Sequence, residues 1–547
     1  MTDLPLLRAP PFPRRTATVS RHPSAAVRPP DVSLERVRAA RVGGAFWAVP
    51  ARLESPPSVI VRPASEAEIR TLATEFAGGQ VLWAVPLPLQ SFATQLSRKE
   101  GGAWYGDVDP WSVLDADRLL VAHGDDEWVA IAAIIGAPVR LLSDGKHGRR
   151  GDSAAELAER ARALLGQVEY LDPFNGEAAS IEQVIDQLAD WRRIIEENRA
   201  IAVAFGMAWW KRREIATFLW VPERAISFAR RASSAIRQAE RAGGGIAIWP
   251  SRAAAISRVA PDRMPPLVRV EDGFVRSVGL GSNLVPPSSV VVDQRGIHFD
   301  PSAPSDLEHI LATHAFPESL VTRAAALRRT IVSAQISKYA AAESAPPPPR
   351  QTGRRLVLVP AQVEDDMSVV AGGGGLSSNL EFLRRVRAME PDAEIWFRPH
   401  PDVDAGHRKG AVPDDKVLRL ADRIVREPSM AVLLDVVDAV HVITSLTGFE
   451  ALLRGRQVTC HGTPFYAGWG LTTDLGDVPS RRGRDLSLDQ LVAGVLILYP
   501  RYLDPVTHLP CPPETLIARM AAHRMPNWLD WLLPVRRWQG RFMAKLR

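Results

Sequence analysis

The chain has 547 residues, 46% of them apolar and 24% charged, with a net charge of +5. This is an ordinary globular composition, long enough for several domains at roughly 150 residues each. Its two cysteines, Cys460 and Cys511, exclude a disulfide framework and a cysteine-based zinc site and fit a reducing compartment. No run of about 18 apolar residues occurs, so no spanning helix is expected. The opening MTDLPLLRAPPFPRR lacks the apolar core of a secretory signal. The mild basic excess fits an anionic partner or plain solubility equally.

Residues 1–44 carry many Pro and Arg and little apolar periodicity, and are expected to be mostly disordered. Short β-branched runs then alternate with helical patterns: 58–62, 81–85, 246–249, 356–359 and 439–443 read as strands, 180–197 and 380–388 as helices. Such alternation argues for doubly wound α/β domains with parallel sheets. A Pro-rich break at 344–350 interrupts it. Glu169-Tyr-Leu-Asp-Pro173 recurs as Arg501-Tyr-Leu-Asp-Pro505, each followed at one spacing by a similar apolar helix: Val184, Ile185 and Leu188 against Leu516, Ile517 and Met520. Upstream of each copy lies a matching strand, helix, Gly and strand, through Gly136 and Gly455. Residues 45–195 therefore read as a degenerate Rossmann-like half-module and 196–526 as a complete module. The complete one is divided into lobes at 196–385 and 386–526, followed by a basic aromatic tail, 527–547.

Four clusters in 196–526 carry chemistry. Val270-Glu-Asp-Gly-Phe-Val-Arg-Ser-Val-Gly-Leu-Gly281 places two carboxylates after a strand, where α/β domains bind ligands, or forms an ordinary polar turn. Leu356-Val-Leu-Val-Pro-Ala-Gln-Val-Glu-Asp-Asp366 runs a strand into three consecutive acids, which repel unless their environments differ. One could serve as nucleophile, or all three could form a solvated turn. Arg398-Pro-His-Pro-Asp402 clamps His400 between two prolines at a strand end. Thr444-Ser-Leu-Thr-Gly-Phe-Glu450 leads a strand into a helix whose free N–H groups suit a phosphate. Glu450 lies one turn in, placed for a ribose hydroxyl; a plain Ser N-cap with Gly448 serving close contact is the alternative. Together the clusters describe a nucleotide-sugar cleft between two Rossmann-like lobes, the GT-B arrangement. No Asp-x-Asp after a strand and no His pair at ligand spacing appears, so neither metal nor cofactor is expected.

These motifs resemble the capsule polysaccharide biosynthesis proteins of the KpsC/LipB type, the retaining β-Kdo transferases. The resemblance also covers Pro287-Ser-Ser-Val-Val-Val-Asp293, Gly296-Ile-His-Phe-Asp300, Pro304-Ser-Asp-Leu-Glu308, Ser337-Lys-Tyr339 and Gly462-Thr-Pro-Phe-Tyr-Ala-Gly-Trp-Gly470. It implies transfer of Kdo from CMP-Kdo to a lipid-linked, phosphatidylglycerol-based acceptor in capsule biosynthesis and export. The protein would sit in the cytoplasm, peripheral on the inner face of the inner membrane, beside other capsule assembly and export proteins and without nucleic acid. It implies Asp366 as nucleophile, Glu271 and Asp272 as acids of the acceptor-side lobe, and His400 as a phosphate contact. Ser445 and Glu450 resemble the cytidylate-binding pair, and Arg276 and Lys338 are further substrate-binding candidates. The chain departs from the pattern at Ala361, where Gly is usual, at Trp249-Pro-Ser, and before residue 196, where no acid motif occurs. One active centre is expected. The competing readings are a non-catalytic assembly or export scaffold and a GT-B enzyme of another nucleotide sugar. The tail, with Trp528, Trp531, Trp538 and Arg536, Arg537, Arg541 and Lys545, is either a membrane anchor or a segment covering the protein.

Overall fold

The computed structural model describes residues 4–22, 33–53, 55–77, 80–100, 103–106, 108–259, 264–275, 277–278, 285–337, 339–340, 345–350, 353–406 and 408–522. The chain divides into two units, Met1–Arg199 with Leu219–Ala225, and Ala200–Phe218 with Ile226–Arg547.

The first unit contains β1 (Ser20–Arg21), β2 (Val59–Val61), β3 (Val81–Ala84), β4 (Ala103–Tyr105), β5 (Leu119–Ala122), β6 (Val139–Leu141) and β7 (Glu169–Tyr170). β2 to β6 form one parallel sheet in the order β4-β3-β2-β5-β6, the reversing order of doubly wound folds. Its central strands are short and apolar because both faces are buried, with Ile60, Leu82, Leu120 and Val121 fully covered. The lead departs from the expected disorder. Leu6, Leu7, Phe12, Val19, Val37 and Val42 are buried, and the Phe12 ring lies 5.1 Å from Trp191 and 4.8 Å from Trp220. Arg8 makes a two-pronged contact to Glu127 at 2.7 and 3.0 Å, and β1 pairs with β7. The Pro- and Arg-rich composition hid a few well-spaced apolar anchors, and arginines that read as solvating charge have carboxylate partners.

The second unit opens with β8 (Ile201–Phe205), β9 (Ser227–Ala229), β10 (Gly245–Ile248), β11 (Leu267–Asp272), β12 (Ser277–Val278), β13 (Ser289–Asp293) and β14 (Tyr339–Ala340). A second series follows: β15 (Leu356–Pro360), β16 (Glu394–Arg398), β17 (Arg423–Ile424), β18 (Ala439–Val442), β19 (Gln457–Cys460) and β20 (Thr473–Asp474). The last strands are β21 (Pro500–Leu503) and β22 (Pro510–Cys511). The first lobe is the sheet β22-β21-β13-β11-β10-β8-β9, the second the all-parallel sheet β17-β16-β15-β18-β19-β20. These are the two Rossmann-like lobes of a GT-B-like fold.

Two expected boundaries move. β15 is the central strand of the second lobe, so that lobe begins after the Pro-rich break and not at residue 386. The acids of 364–366 therefore belong to the second lobe. After β20 the chain returns: β21 pairs antiparallel with β13 and β22 with β21, and Arg323 and Arg328 meet Glu514 and Asp489, each at 2.7 Å. Periodicity marks where strands lie but not which sheet they join. The tail 527–547 lies outside the described residues.

The internal repeat is geometric as well as sequential. Tyr170 Oη donates to the Leu165 carbonyl at 2.7 Å, Tyr502 Oη to that of Leu496 at 2.6 Å. In the turns that follow, Gly176 N–H donates to Asp172 and His508 N–H to Asp504, and both donors have positive φ, +77° and +56°. The apolar helix residues named above are all buried in both copies.

Within the second lobe, His441 of β18 and His461 lie with ring nitrogens 3.1 Å apart, both buried. Burial pushes each down to about 4 from an ordinary 6.5, with Arg355 adding to the effect on His441 and His441 to that on His461. The native state thus keeps them neutral where the unfolded chain protonates them, so their contribution is intact above pH 6.5 and is lost as pH falls toward 4. We expect stability to drop by about 1.5 kcal/mol per histidine between pH 6.5 and 5. Urea midpoints at both pH values, with His461→Gln as the flatter variant, check this; parallel pH dependences would contradict it.

Candidate active site

Three neighbouring strands of the second lobe end side by side and each hands the chain to a polar loop. β15 is bonded to β16 as far as Pro360 opposite Arg398, and to β18 on its other side. Strand order reverses between β15 and β18, the crevice where open α/β sheets take ligands. The loop after β15 carries the three acids, that after β16 His400, and that after β18 Thr444 and Ser445.

The acids avoid mutual repulsion by facing different donors. Glu364 accepts the N–H of Asn379 at 2.8 Å at the start of the helix Asn379–Met389. Asp365 is half exposed and meets Arg408 at 3.0 Å. Asp366 caps the helix Met367–Gly372, its Oδ1 accepting from Ser368 N–H at 3.0 Å and Ser368 Oγ at 2.8 Å. Ser368 Oγ stands 3.4 Å from Thr444 Oγ1. Buried Gln362 completes the link, donating to Thr444 Oγ1 at 3.1 Å and accepting the Thr444 N–H at 2.9 Å. The carboxylate loop is thereby tied to the loop that opens the helix Leu446–Leu453.

Ser445 caps that helix, accepting the Thr447 N–H at 3.2 Å. Its carbonyl accepts from Tyr466 Oη at 2.5 Å, and a Cβ on Gly448 would lie 2.2 Å from that oxygen. Gly448 therefore serves close contact, the plainer of its two readings. Glu450 is buried on the same helix and lines a small, mostly apolar crevice of about 10 Å³ with Phe274, Val275, Ile336, Ser337 and Leu446. His400 caps the turn Pro401–Asp404, and its Nδ1 accepts the Asp402 N–H at 3.2 Å. In the neutral ring this makes Nε2 the donor.

Glu271 and Asp272 end β11 in the first lobe. Asp272 Oδ1 meets Lys211 Nζ at 2.9 Å, and Glu271 Oε1 accepts the Asp272 N–H at 3.0 Å. Phe274 next to them enters a ring cluster with His298 and Phe465, at 4.8 and 4.7 Å. Asp366, His400 and Ser445 thus share one sheet edge, Glu271 and Asp272 occupy another, and Glu450 faces the crevice that Phe274 closes. Arg276 and Lys338 lie outside the described residues. Their neighbours Val275 and Ser337 line the Glu450 crevice, and β12 pairs in parallel with β14.

A profile described as capsule polysaccharide biosynthesis protein matches residues 245–502. The capsule polysaccharide modification protein LipA of Neisseria meningitidis serogroup A is 43% identical over 383 residues, 68% of this chain and 54% of LipA. The Thermosulfurimonas dismutans KpsC beta Kdo 2,7 transferase structure is 33% identical, covering 59% of this chain and 99% of its own, with a TM-score of 0.50. The corresponding beta Kdo 2,4 transferase is 30% identical, covering 58% and 98%, with a TM-score of 0.51. The chain belongs to the capsule polysaccharide biosynthesis proteins of the KpsC/LipB type. It spans about half the length of the curated relatives it matches.

For a member of this family, the sequence pointed to the acids but assigned no role to their supports. Gln362 and Tyr466 sit inside quoted motifs and Asn379 just before the expected helix 380–388, and only their bonds show what they do. Lys211 carried no signal, because its partners lie on other strands. Among the described residues no group of three or more His, Cys, Asp and Glu is placed to hold a metal ion, and no helix is long and apolar enough to cross a membrane. The Gly448–Tyr466 contact yields a direct check. Gly448→Ala should lower stability by about 1–3 kcal/mol through overfilling and displace the Ser445 cap, seen as a fall in melting temperature; an unchanged value would contradict the contact.

Proposed function

We propose that the chain is a retaining β-Kdo glycosyltransferase that moves Kdo from CMP-Kdo to a lipid-linked, phosphatidylglycerol-based acceptor in capsule biosynthesis and export. On this reading it works in the cytoplasm at the inner face of the inner membrane, with other capsule assembly and export proteins and without a cofactor or metal. The observation that carries it is the seat of Asp366 at the topological switch of the second lobe, coupled through Ser368 and Thr444 to the helix start at Ser445. That the two similar KpsC structures are beta Kdo transferases supports the choice of sugar.

Asp366 has one oxygen fixed by Ser368, which sets its rotamer and leaves Oδ2 to act. Oδ2 attacks the anomeric carbon, the bond to the phosphate oxygen breaks, and CMP departs with the electron pair. The helix start at Ser445, the His400 donor and Glu450 hold the leaving nucleotide: N–H groups face phosphate, and Glu450 faces a ribose hydroxyl. The acceptor hydroxyl then attacks the covalent Kdo–Asp366 ester from the opposite face, giving its proton to a carboxylate of Glu271 or Asp272. Two inversions leave the configuration retained, the logic of a retaining glycosidase with CMP as leaving group.

Asparagine caps a helix as well as aspartate does, so Asp366→Asn separates chemistry from folding. We expect transfer to fall by about a thousandfold or more, the loss typical of a covalent nucleophile, with an unchanged melting temperature. Product formation from CMP-Kdo and a synthetic Kdo-glycolipid, read by mass spectrometry, decides it; full activity would sink the assignment. CMP, and not UDP, should raise the melting temperature of the unmutated protein, and His400→Ala and Ser445→Ala should each reduce that rise. Stabilisation by UDP alone would point to a different nucleotide sugar.

A further inference from the structure

Three parallel strands of the first lobe, β8, β10 and β11, also end together, and each contributes to one cluster. The turn Trp209–Lys211 after β8 delivers Lys211, Trp249 follows β10, and β11 ends on Glu271 and Asp272. Lys211 Nζ lies 2.9 Å from Asp272 Oδ1, 3.7 Å from the centroid of the Trp249 ring and 5.1 Å from that of Trp210. The lysine side chain is 9% exposed and the aspartate 18%, so the carboxylate is the more accessible partner. The backbone just after Asp272 is closely packed: a Cβ on Gly273 would lie 2.2 Å from Ser289 Oγ. Trp209, on the same turn as Lys211, is exposed.

A buried ion pair of this kind adds little net stability, and apolar side chains of similar volume usually hold a fold as well. Its location is the edge at which parallel sheets take ligands. The ammonium is seated over an aromatic face, which fixes its direction. An exposed indole on the same rim suits the apolar face of a sugar ring.

We propose that Lys211 is a positioning residue of the acceptor side: its ammonium, seated on Trp249, fixes the Asp272 carboxylate where it meets the acceptor sugar, and it takes no part in holding the donor nucleotide. This rests on the transferase reading above. Lys211→Met keeps the length and apolar stem and removes the charge. The expected result is a rise of about tenfold in KM, or a matching fall in kcat, for a synthetic Kdo-glycolipid, the scale of one lost charged contact. The melting-temperature rise induced by CMP stays as in the unmutated protein, while that induced by the glycolipid is lost. Lys211→Arg recovers part of the acceptor response, and Lys211→Met with Asp272→Asn is no worse than Asp272→Asn alone, because the two act as one unit. Unchanged acceptor kinetics in Lys211→Met, or equal loss of the CMP and glycolipid responses, overturns the proposal; should that variant not fold, full acceptor response in Asp272→Asn overturns it. An unmutated protein that responds to neither CMP nor glycolipid refutes the transferase reading itself.

Discussion

Glu308 and Arg482 meet at 2.6 Å with 6% and 3% of their side chains exposed, and the order of the second unit depends on that meeting. Arg482 also donates to the carbonyls of Pro464 and Ala467, and Arg481 reaches the other Glu308 oxygen at 2.5 Å. Burial pushes the Arg482 guanidinium below its ordinary value, with Glu308 working against it. Such a pair is worth little against an apolar replacement, yet losing one partner leaves a stranded buried charge, about 3–5 kcal/mol. It therefore specifies geometry more than it adds stability. From Arg482 the order passes through residues 464–467 to Tyr466, and from its hydroxyl to the carbonyl of Ser445. On the other side, the helix Asp306–Thr313 that carries Glu308 is anchored by fully buried Asp293. That carboxylate accepts the N–H groups of Arg295, Gly296 and Asp306 and the Tyr499 hydroxyl. Burial and the Asp306 charge push Asp293 up, and the bonds oppose them.

The same economy of partners explains three consecutive acids on one loop. Each carboxylate faces its own donor: a helix start for Glu364, a guanidinium for Asp365, a serine for Asp366. Asn379 does for the loop what Tyr466 does for the Ser445 turn. Fully buried, it accepts the Gln362 N–H and donates to the carbonyls of Gln362 and Gly410. The loop is thus held by several bonds of its own, as the proposed nucleophile would require.

Strands were legible in the sequence where β-branched runs were short and bounded, as at 356–359 and 439–443, because burial on both faces leaves a continuous apolar run. Sheet membership was not legible. Nothing in Pro500–Leu503 says that it returns to β13, since antiparallel pairing after a long excursion leaves no periodic trace. The lead failed for a related reason: Phe12 and Val37 find partners far along the chain, and composition cannot weigh single anchors. At the site, the candidate acids and His400 were visible as polar residues at strand ends. Glu308–Arg482 and Lys211–Asp272 were not, because each pairs residues far apart in the chain that only the fold brings together.

The two copies of the repeat separate what the fold requires from what it does not. Ser445 caps the helix that Gly455 closes, and at the same separation Asp126 caps the helix that Gly136 closes. Counting from those glycines, Glu450 corresponds to Ile131 and Tyr466 to His147, while Gly470 and Gly151 both keep positive φ, +79° and +90°. Strand order, the helix, the glycine turns and the Tyr-Leu-Asp-Pro turn thus survive in the first unit. Neither ring nitrogen of His147 has a hydrogen-bond partner among the described residues, and burial pushes that ring below its ordinary value. The Tyr466 hydroxyl and the Glu450 carboxylate are therefore dispensable to a doubly wound sheet of this topology. A buried carboxylate costs stability unless it is hydrogen-bonded or paired. The position of Glu450 is isoleucine in the other copy, so the topology the two copies share does not require a carboxylate there.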